Sequence, residues 1–228
     1  IPAGKVNGEE PPAYCAEKML ESDVILLVTS VSLTHTQARI NANERGSRIA
    51  SMPNINKDIF ERLIDVDYDY IKKITNKLAD VLDEGSKVRI ITDNGTDLSI
   101  DISGRESLGR HAGIYNTPGS FGNLPTGEAF IAPVEGKSNG VYVVDGSFGG
   151  IGQVEEPVKI TVEDGFALKI EGGEEAEKLR ASLEEVGDSN AYNIAELGNA
   201  VSMHGGILSG RVKDVQIKNV GRNCMYFL

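Results

Sequence analysis

The pattern of apolar residues changes near residue 86, and this change limits the fold more than any other feature of the chain. Before it, the continuous apolar run DVILLVTS and the shorter run SRIASMP alternate with segments of good helix formers. A continuous run of this length is typical of a strand that is buried on both faces. Strands that alternate with helices predict a parallel sheet with crossover connections.

After residue 86, apolar and polar residues alternate singly, which is the pattern of antiparallel strands. Two such segments, KVRIITDNGTDLSIDI and VKITVEDGFALKIEGG, have Asn94-Gly95 and Asp164-Gly165 at their centres. Both pairs favour hairpin turns, whose central positions need positive φ. The segment EEAEKLRASLEEVG then predicts an amphipathic helix. Its apolar side carries Ala176, Leu179, Leu183 and Val186.

The predicted fold is therefore of the α/β class, with two domains. Residues 1–86 form an N-terminal parallel βαβ unit, and this unit packs on residues 87–228, a mainly antiparallel β domain with one helix. No Ser/Gly-rich linker marks the boundary near residue 86, so we expect the two domains to pack closely.

The charge balance and the cysteines exclude several classes of function. Lys and Arg total 23 against 34 Asp and Glu, and the net charge of -11 disfavours nucleic acids and anionic membrane surfaces as partners. No apolar run is long enough to span a bilayer and no signal peptide is visible, so we expect a cytoplasmic protein. Cys15 and Cys224 make no metal-spaced pair and are predicted to be reduced thiols.

Two isolated acids are the candidate functional residues. Glu128 is the only charge in FGNLPTGEAFIAP, and Glu196 is the only charge in AYNIAELGN. A carboxylate in such a neutral stretch is solvated, paired with another group or bound to a ligand. From the local sequence alone, a solvated carboxylate at the end of a strand is the ordinary interpretation of both.

Other sequence signals of chemistry are weak. The three histidines, His35, His111 and His204, form no HExxH pair and lie near no CxxC pair. The first is expected at the start of a helix, and the other two in glycine-containing loops. No glycine-rich phosphate-binding pattern follows a strand.

A family resemblance gives the two acids a role. From about Lys5 to Gly198 the chain resembles the thermophilic aminopeptidases of peptidase family M29. The most specific motifs are NLPTGE and NIAELG, and the sequence of the hairpin segment between them also agrees. The resemblance implies a homodimeric, metal-dependent hydrolase that removes N-terminal residues from peptides. It also implies that Glu128 and Glu196 are ligands of Zn or Co. Two such ions activate a water molecule as the nucleophile.

The chain departs from the family pattern at both ends. The family's first βα unit has no counterpart, and residues 199–228 do not align with the later segments, which supply the family's remaining ligands and a His-x-Asp motif. No catalytic residue is therefore assigned. Two alternatives to the aminopeptidase stay open. One is a ring-cleaving dihydroxypyridine dioxygenase with a single non-haem iron. The other is a degenerate, catalytically inactive member of the family.

Overall fold

The structure is a computed structural model that describes residues 4–110, 112–148, 151–200 and 224–227. The described helices are α1 (Ala13–Leu20), α2 (Gln37–Glu44), α3 (Lys57–Leu63), α4 (Tyr68–Glu84) and α5 (Glu174–Val186). The described strands are β1 (Val24–Thr29), β2 (Arg48–Pro53), β3 (Lys87–Ile91), β4 (Asp97–Asp101), β5 (Phe121–Asn123), β6 (Glu128–Ile131), β7 (Asn139–Val144), β8 (Ser147–Phe148), β9 (Gly152–Gln153), β10 (Val158–Glu163), β11 (Phe166–Glu171), β12 (Ile194–Ala200) and β13 (Cys224–Phe227). A 3₁₀ turn covers Ser189–Tyr192.

Two compact units make up the chain. The first contains the described residues of Ile1–Ile74 and Arg110–Gly127, and the second those of Thr75–Gly109 and Glu128–Leu228. None of the described helices combines the length and the apolar character that a membrane span requires.

The first unit is built on a parallel sheet in the order β1-β2-β5. The helix α2 connects β1 to β2, as the alternation of strand and helix predicts for a parallel pair. One apolar cluster packs this unit. Its buried members are Met19, Ile25, Leu27, Leu33, Ala38, Ala42 and Ile49.

The prediction that β1 is buried on both faces is wrong. Ile25 and Leu27 are buried, but Val24, Leu26 and Val28 on the other face are 54%, 59% and 62% exposed. In the described sheet β1 is an edge strand, whereas all of residues 49–52 in the central strand β2 are buried. A continuous apolar run is the same in both situations, so it does not tell a central strand from an edge strand with one uncovered face.

The second unit contains a five-stranded antiparallel sheet in the order β11-β10-β7-β4-β3. Both predicted hairpins are confirmed, as β3–β4 and β10–β11. Asp164 and Gly165 both take positive φ, whereas in the other turn Gly95 does and Asn94 does not. The five residues between β3 and β4 explain this difference, because a longer loop does not need two left-handed positions.

The helix α5 contributes its predicted apolar side to the core of the second unit. Ala176, Leu179 and Leu183 are buried in the same cluster as the strand residues Ile160 and Ile170. Val186 is an exception, because this last residue of the helix is exposed. The helix ends at Gly187, which takes the left-handed conformation that favours glycine.

Candidate metal site

Both predicted acids lie on one small sheet of the second unit. This antiparallel sheet has the order β13-β12-β6. Glu128 is the first residue of β6, and Glu196 lies inside β12. The register places Ala200 opposite Glu128 and Leu197 opposite Ile131. The sheet therefore brings together two acids that are 68 positions apart in the sequence.

The register also places the two acids on the same face of the sheet. Side chains alternate along a strand, and residues directly opposite each other share a face. Glu128, Phe130, Glu196 and Gly198 therefore belong to one face. The opposite face is buried. It carries Ala129, Ile131, Leu197 and Asn199, each no more than 2% exposed. The buried face anchors the sheet, so that the other face can carry functional groups.

The two acids are not direct neighbours along the strands. Glu196 is four residues from Ala200, the partner of Glu128, and this corresponds to about 13 Å along β12. Both side chains must extend toward each other to approach a common ion. Their charges nevertheless interact, because Glu196 contributes to the raised pKa of Glu128.

The surroundings of both carboxylates favour the neutral form when no cation is bound. Burial, and then the charge of Glu196, raise the pKa of Glu128 from its ordinary value of 4.5 to about 7. Burial also raises the pKa of Glu196. No hydrogen-bond donor or cation in the described part of the chain offsets these effects. Two half-buried carboxylates that repel each other are a favourable environment for a cation, which would stabilise both charges.

An apolar row crosses the face between the two acids. Phe130 lies opposite Gly198 on β12 and forms an isolated antiparallel bridge with Leu108 on its other side. Leu108 is 55% exposed and Phe130 is half-buried. Glycine at position 198 leaves the space beside the phenyl ring without a side chain. The same face therefore carries two half-buried carboxylates and the apolar side chain of Phe130.

Phe130 is not among the functional residues predicted from the sequence, although a signal for it exists. Phe130 follows Glu128 by two residues in a predicted strand, and a spacing of two places both on one face. What the sequence does not contain is the partner strand, so it does not show that a glycine lies opposite Phe130.

The described part of this sheet brings together two candidate metal donors, Glu128 and Glu196. Among the described residues, no group of three or more His, Cys, Asp and Glu side chains is arranged to hold an ion. His35 is exposed and belongs to the first unit. His111 and His204 lie outside the described residues. The donor set of Glu128 and Glu196 fits a divalent cation, because carboxylate oxygens bind such ions well.

Comparison with known proteins points to one family. The sequence profile described as 2,5-dihydroxypyridine 5,6-dioxygenase matches residues 7–207. A relative of that name from Pseudomonas putida is 23% identical over 210 residues, which cover 84% of this chain and 57% of the relative. The chain therefore spans less than two thirds of the length of this relative.

Two solved structures share the fold. The 2,5-dihydroxypyridine dioxygenase from Pseudomonas putida KT2440 superposes with a TM-score of 0.66 at 20% identity, covering 81% of this chain and 52% of that one. AmpT from Thermus thermophilus superposes with a TM-score of 0.61 at 18% identity, covering 86% of this chain and 59% of that one. The mixed α/β fold predicted from the sequence is confirmed by both.

The expected aminopeptidase activity is contradicted by these findings. The profile match and the Pseudomonas putida relative both carry the name of a dioxygenase and not of a peptidase. Nothing in the comparisons supports Zn or Co as the metal. The resemblance to family M29 is correct for the fold, since AmpT shares it. Two acids on a shared sheet do not distinguish the reactions, and the motifs NLPTGE and NIAELG were therefore insufficient.

Proposed function

This chain belongs to the 2,5-dihydroxypyridine 5,6-dioxygenase family, and from that premise we propose that it opens the ring of a dihydroxylated pyridine with dioxygen. The observation that carries the proposal is the profile match over residues 7–207, within which both Glu128 and Glu196 lie on one sheet face. In such a reaction the bond between ring carbons 5 and 6 breaks, and both atoms of dioxygen enter the product.

Glu128 and Glu196 are the residues proposed to hold a non-haem iron ion. Both supply carboxylate oxygen, which is a common donor in non-haem iron sites. When bound, iron would supply the chemistry that lets dioxygen react with an aromatic ring. Since the pKa of Glu128 is about 7 without a cation, this residue would release its proton as the ion binds.

Phe130 is proposed to contact the substrate ring. It lies between the levels of the two acids on their common face, and the position opposite it is a glycine. Aromatic rings prefer offset-stacked or edge-to-face contacts with one another, so a phenyl side chain at this place would orient a planar ring.

Oxygen consumption tests the proposal directly. The chain is loaded with Fe²⁺ under anaerobic conditions, and dioxygen and 2,5-dihydroxypyridine are then followed together. We expect one dioxygen consumed for each substrate molecule, with loss of the aromatic absorbance. Hydroquinone has the same pair of hydroxyl groups without the ring nitrogen and serves as the matched control. An iron-loaded chain that consumes no dioxygen with the pyridine would refute the proposed activity.

A second candidate function is metal binding without turnover. The observation that favours it is the described ligand set, in which only two carboxylates come together. In this case Fe²⁺ would bind with an affinity that depends on Glu128, and the oxygen measurement would show no consumption. Measurements of Fe²⁺ binding and of dioxygen consumption therefore separate the dioxygenase from a protein that binds the metal without turnover.

A further inference from the structure

Gly109 packs directly against the backbone of Glu128. It takes a φ of +93°, and a β-carbon added there would lie 2.0 Å from the carbonyl oxygen of Glu128. The same β-carbon would lie 3.0 Å from the carbonyl carbon of Glu128 and 3.3 Å from the Cα of Ala129. All three atoms belong to the main chain, so no change of side-chain rotamer relieves the overlap.

The chain around Gly109 is held in register with β6. The N–H of Leu108 donates to the carbonyl of Phe130 at 2.8 Å, and the N–H of Phe130 donates to the carbonyl of Leu108 at 3.2 Å. On its other side β6 pairs with β12. Because β6 is bonded on both sides, a group inserted at position 109 can be accommodated only by moving the main chain of Glu128 or by breaking the bridge.

We propose that Gly109 is a positioning residue for Glu128, and that the missing side chain at position 109 sets where this carboxylate meets a bound metal ion. The inference rests on the proposed function, since it takes Glu128 as a ligand. It adds a residue that touches neither metal nor substrate and that acts through main-chain packing. Changes in residues that orient ligands typically weaken metal affinity by about 10- to 100-fold.

Two other glycines of the same unit provide matched controls. Gly104 has a φ of +71° and nothing within 4 Å of an added β-carbon, so an alanine there suffers the backbone strain alone. Gly140 has a φ of +134°, and its added β-carbon would lie 2.2 Å from the carbonyl oxygen of Asp97. An alanine at 140 therefore combines strain with a main-chain overlap, but on the strands β4 and β7 and not on β6.

The test compares Fe²⁺ binding by anaerobic calorimetry with thermal unfolding for Gly109→Ala, Gly104→Ala, Gly140→Ala and Glu128→Gln. We expect Gly109→Ala to weaken Fe²⁺ binding by about tenfold or more. The Fe²⁺ affinity of Gly104→Ala and of Gly140→Ala should stay within about threefold of the parent. This should hold even if Gly140→Ala lowers the unfolding temperature as much as Gly109→Ala does. In the double variant with Glu128→Gln, adding Gly109→Ala should have no further effect on affinity, since both changes act on one group.

The outcomes separate the two proposals. If Glu128→Gln leaves Fe²⁺ affinity unchanged, Glu128 is not a ligand and the proposed metal site is wrong. If Glu128→Gln weakens binding but Gly109→Ala matches Gly140→Ala, only the positioning role is wrong. Should Gly109→Ala fail to fold while Gly104→Ala and Gly140→Ala fold, Gly109 is required for the fold itself, and the positioning role is overturned.

Discussion

Glu128 and Glu196 stand on the same face of one antiparallel sheet, and the negative charge of Glu196 adds to the burial that raises the pKa of Glu128. The two acids are half-buried, and no donor or cation in the described ranges lowers the pKa of either. Ionisation of the two carboxylates is unfavourable in the metal-free protein and becomes favourable when a cation is bound. Both the pH dependence of stability and the metal affinity should therefore depend on these residues.

The metal-free protein should lose stability as the pH rises from about 4.5 to 7. In this window the folded protein keeps a proton on Glu128 while the unfolded chain has released it, so unfolding becomes easier with rising pH. The shift from 4.5 to about 7 corresponds to about 3 kcal/mol. Urea unfolding at a series of pH values in a chelator measures this. Glu128→Gln should flatten the plot of the free energy of unfolding against pH, whereas Glu163→Gln, at an exposed position, should not. Parallel plots for the parent and both variants would contradict the raised pKa of Glu128.

Replacing Glu196 by glutamine should lower the pKa of Glu128. The substitution removes a negative charge and leaves the burial of Glu128 in place, so the pKa should fall below about 7 and stay above the ordinary value of 4.5. Carbon NMR of the labelled side-chain carboxyl groups in the metal-free protein measures the titration. An unchanged midpoint for Glu128 in this variant would show that the two carboxylates do not interact.

Phe130→Ala should weaken binding of the pyridine substrate without changing Fe²⁺ affinity. An aromatic contact contributes about 1 kcal/mol beyond the buried area, so KM should rise about fivefold or more. Phe60→Ala removes a phenyl group from an exposed position of α3 in the first unit and should leave KM unchanged. Equal KM values for Phe130→Ala and the parent would exclude a ring contact at this position.

Leu197→Ala should destabilise the sheet that carries both acids. The Leu197 side chain is completely buried on the face opposite Glu196, and truncation of such a leucine costs about 2–5 kcal/mol. Leu168→Ala, on an exposed position of β11, should change the free energy of unfolding by less than about 0.5 kcal/mol. Chemical denaturation compares the two variants, and similar losses would contradict the assigned burial of the sheet.

Much of the fold could be predicted because its signals are local. The hairpin β10–β11 follows from alternation around Asp164-Gly165, and α5 follows from the spacing of Ala176, Leu179 and Leu183. The exposure of one face of β1 could not be predicted, because the sequence of a strand does not record which of its faces is covered. The chemistry could not be predicted from the fold either, since two solved structures with different names, a dioxygenase and AmpT, share it.

The sequence by itself determined those elements that have regular apolar spacing, such as β1, β10, β11 and α5, and singled out Glu128 and Glu196 as unusual acids. These properties depend on spacing along the chain, and the backbone geometry of helices and strands translates spacing directly into structure. The tertiary structure alone decided that the two acids share a face, that Phe130 stands between them, and that Gly109 touches the main chain of Glu128. Such relationships depend on which strands pair and in what register, and pairing is set by packing over the whole unit.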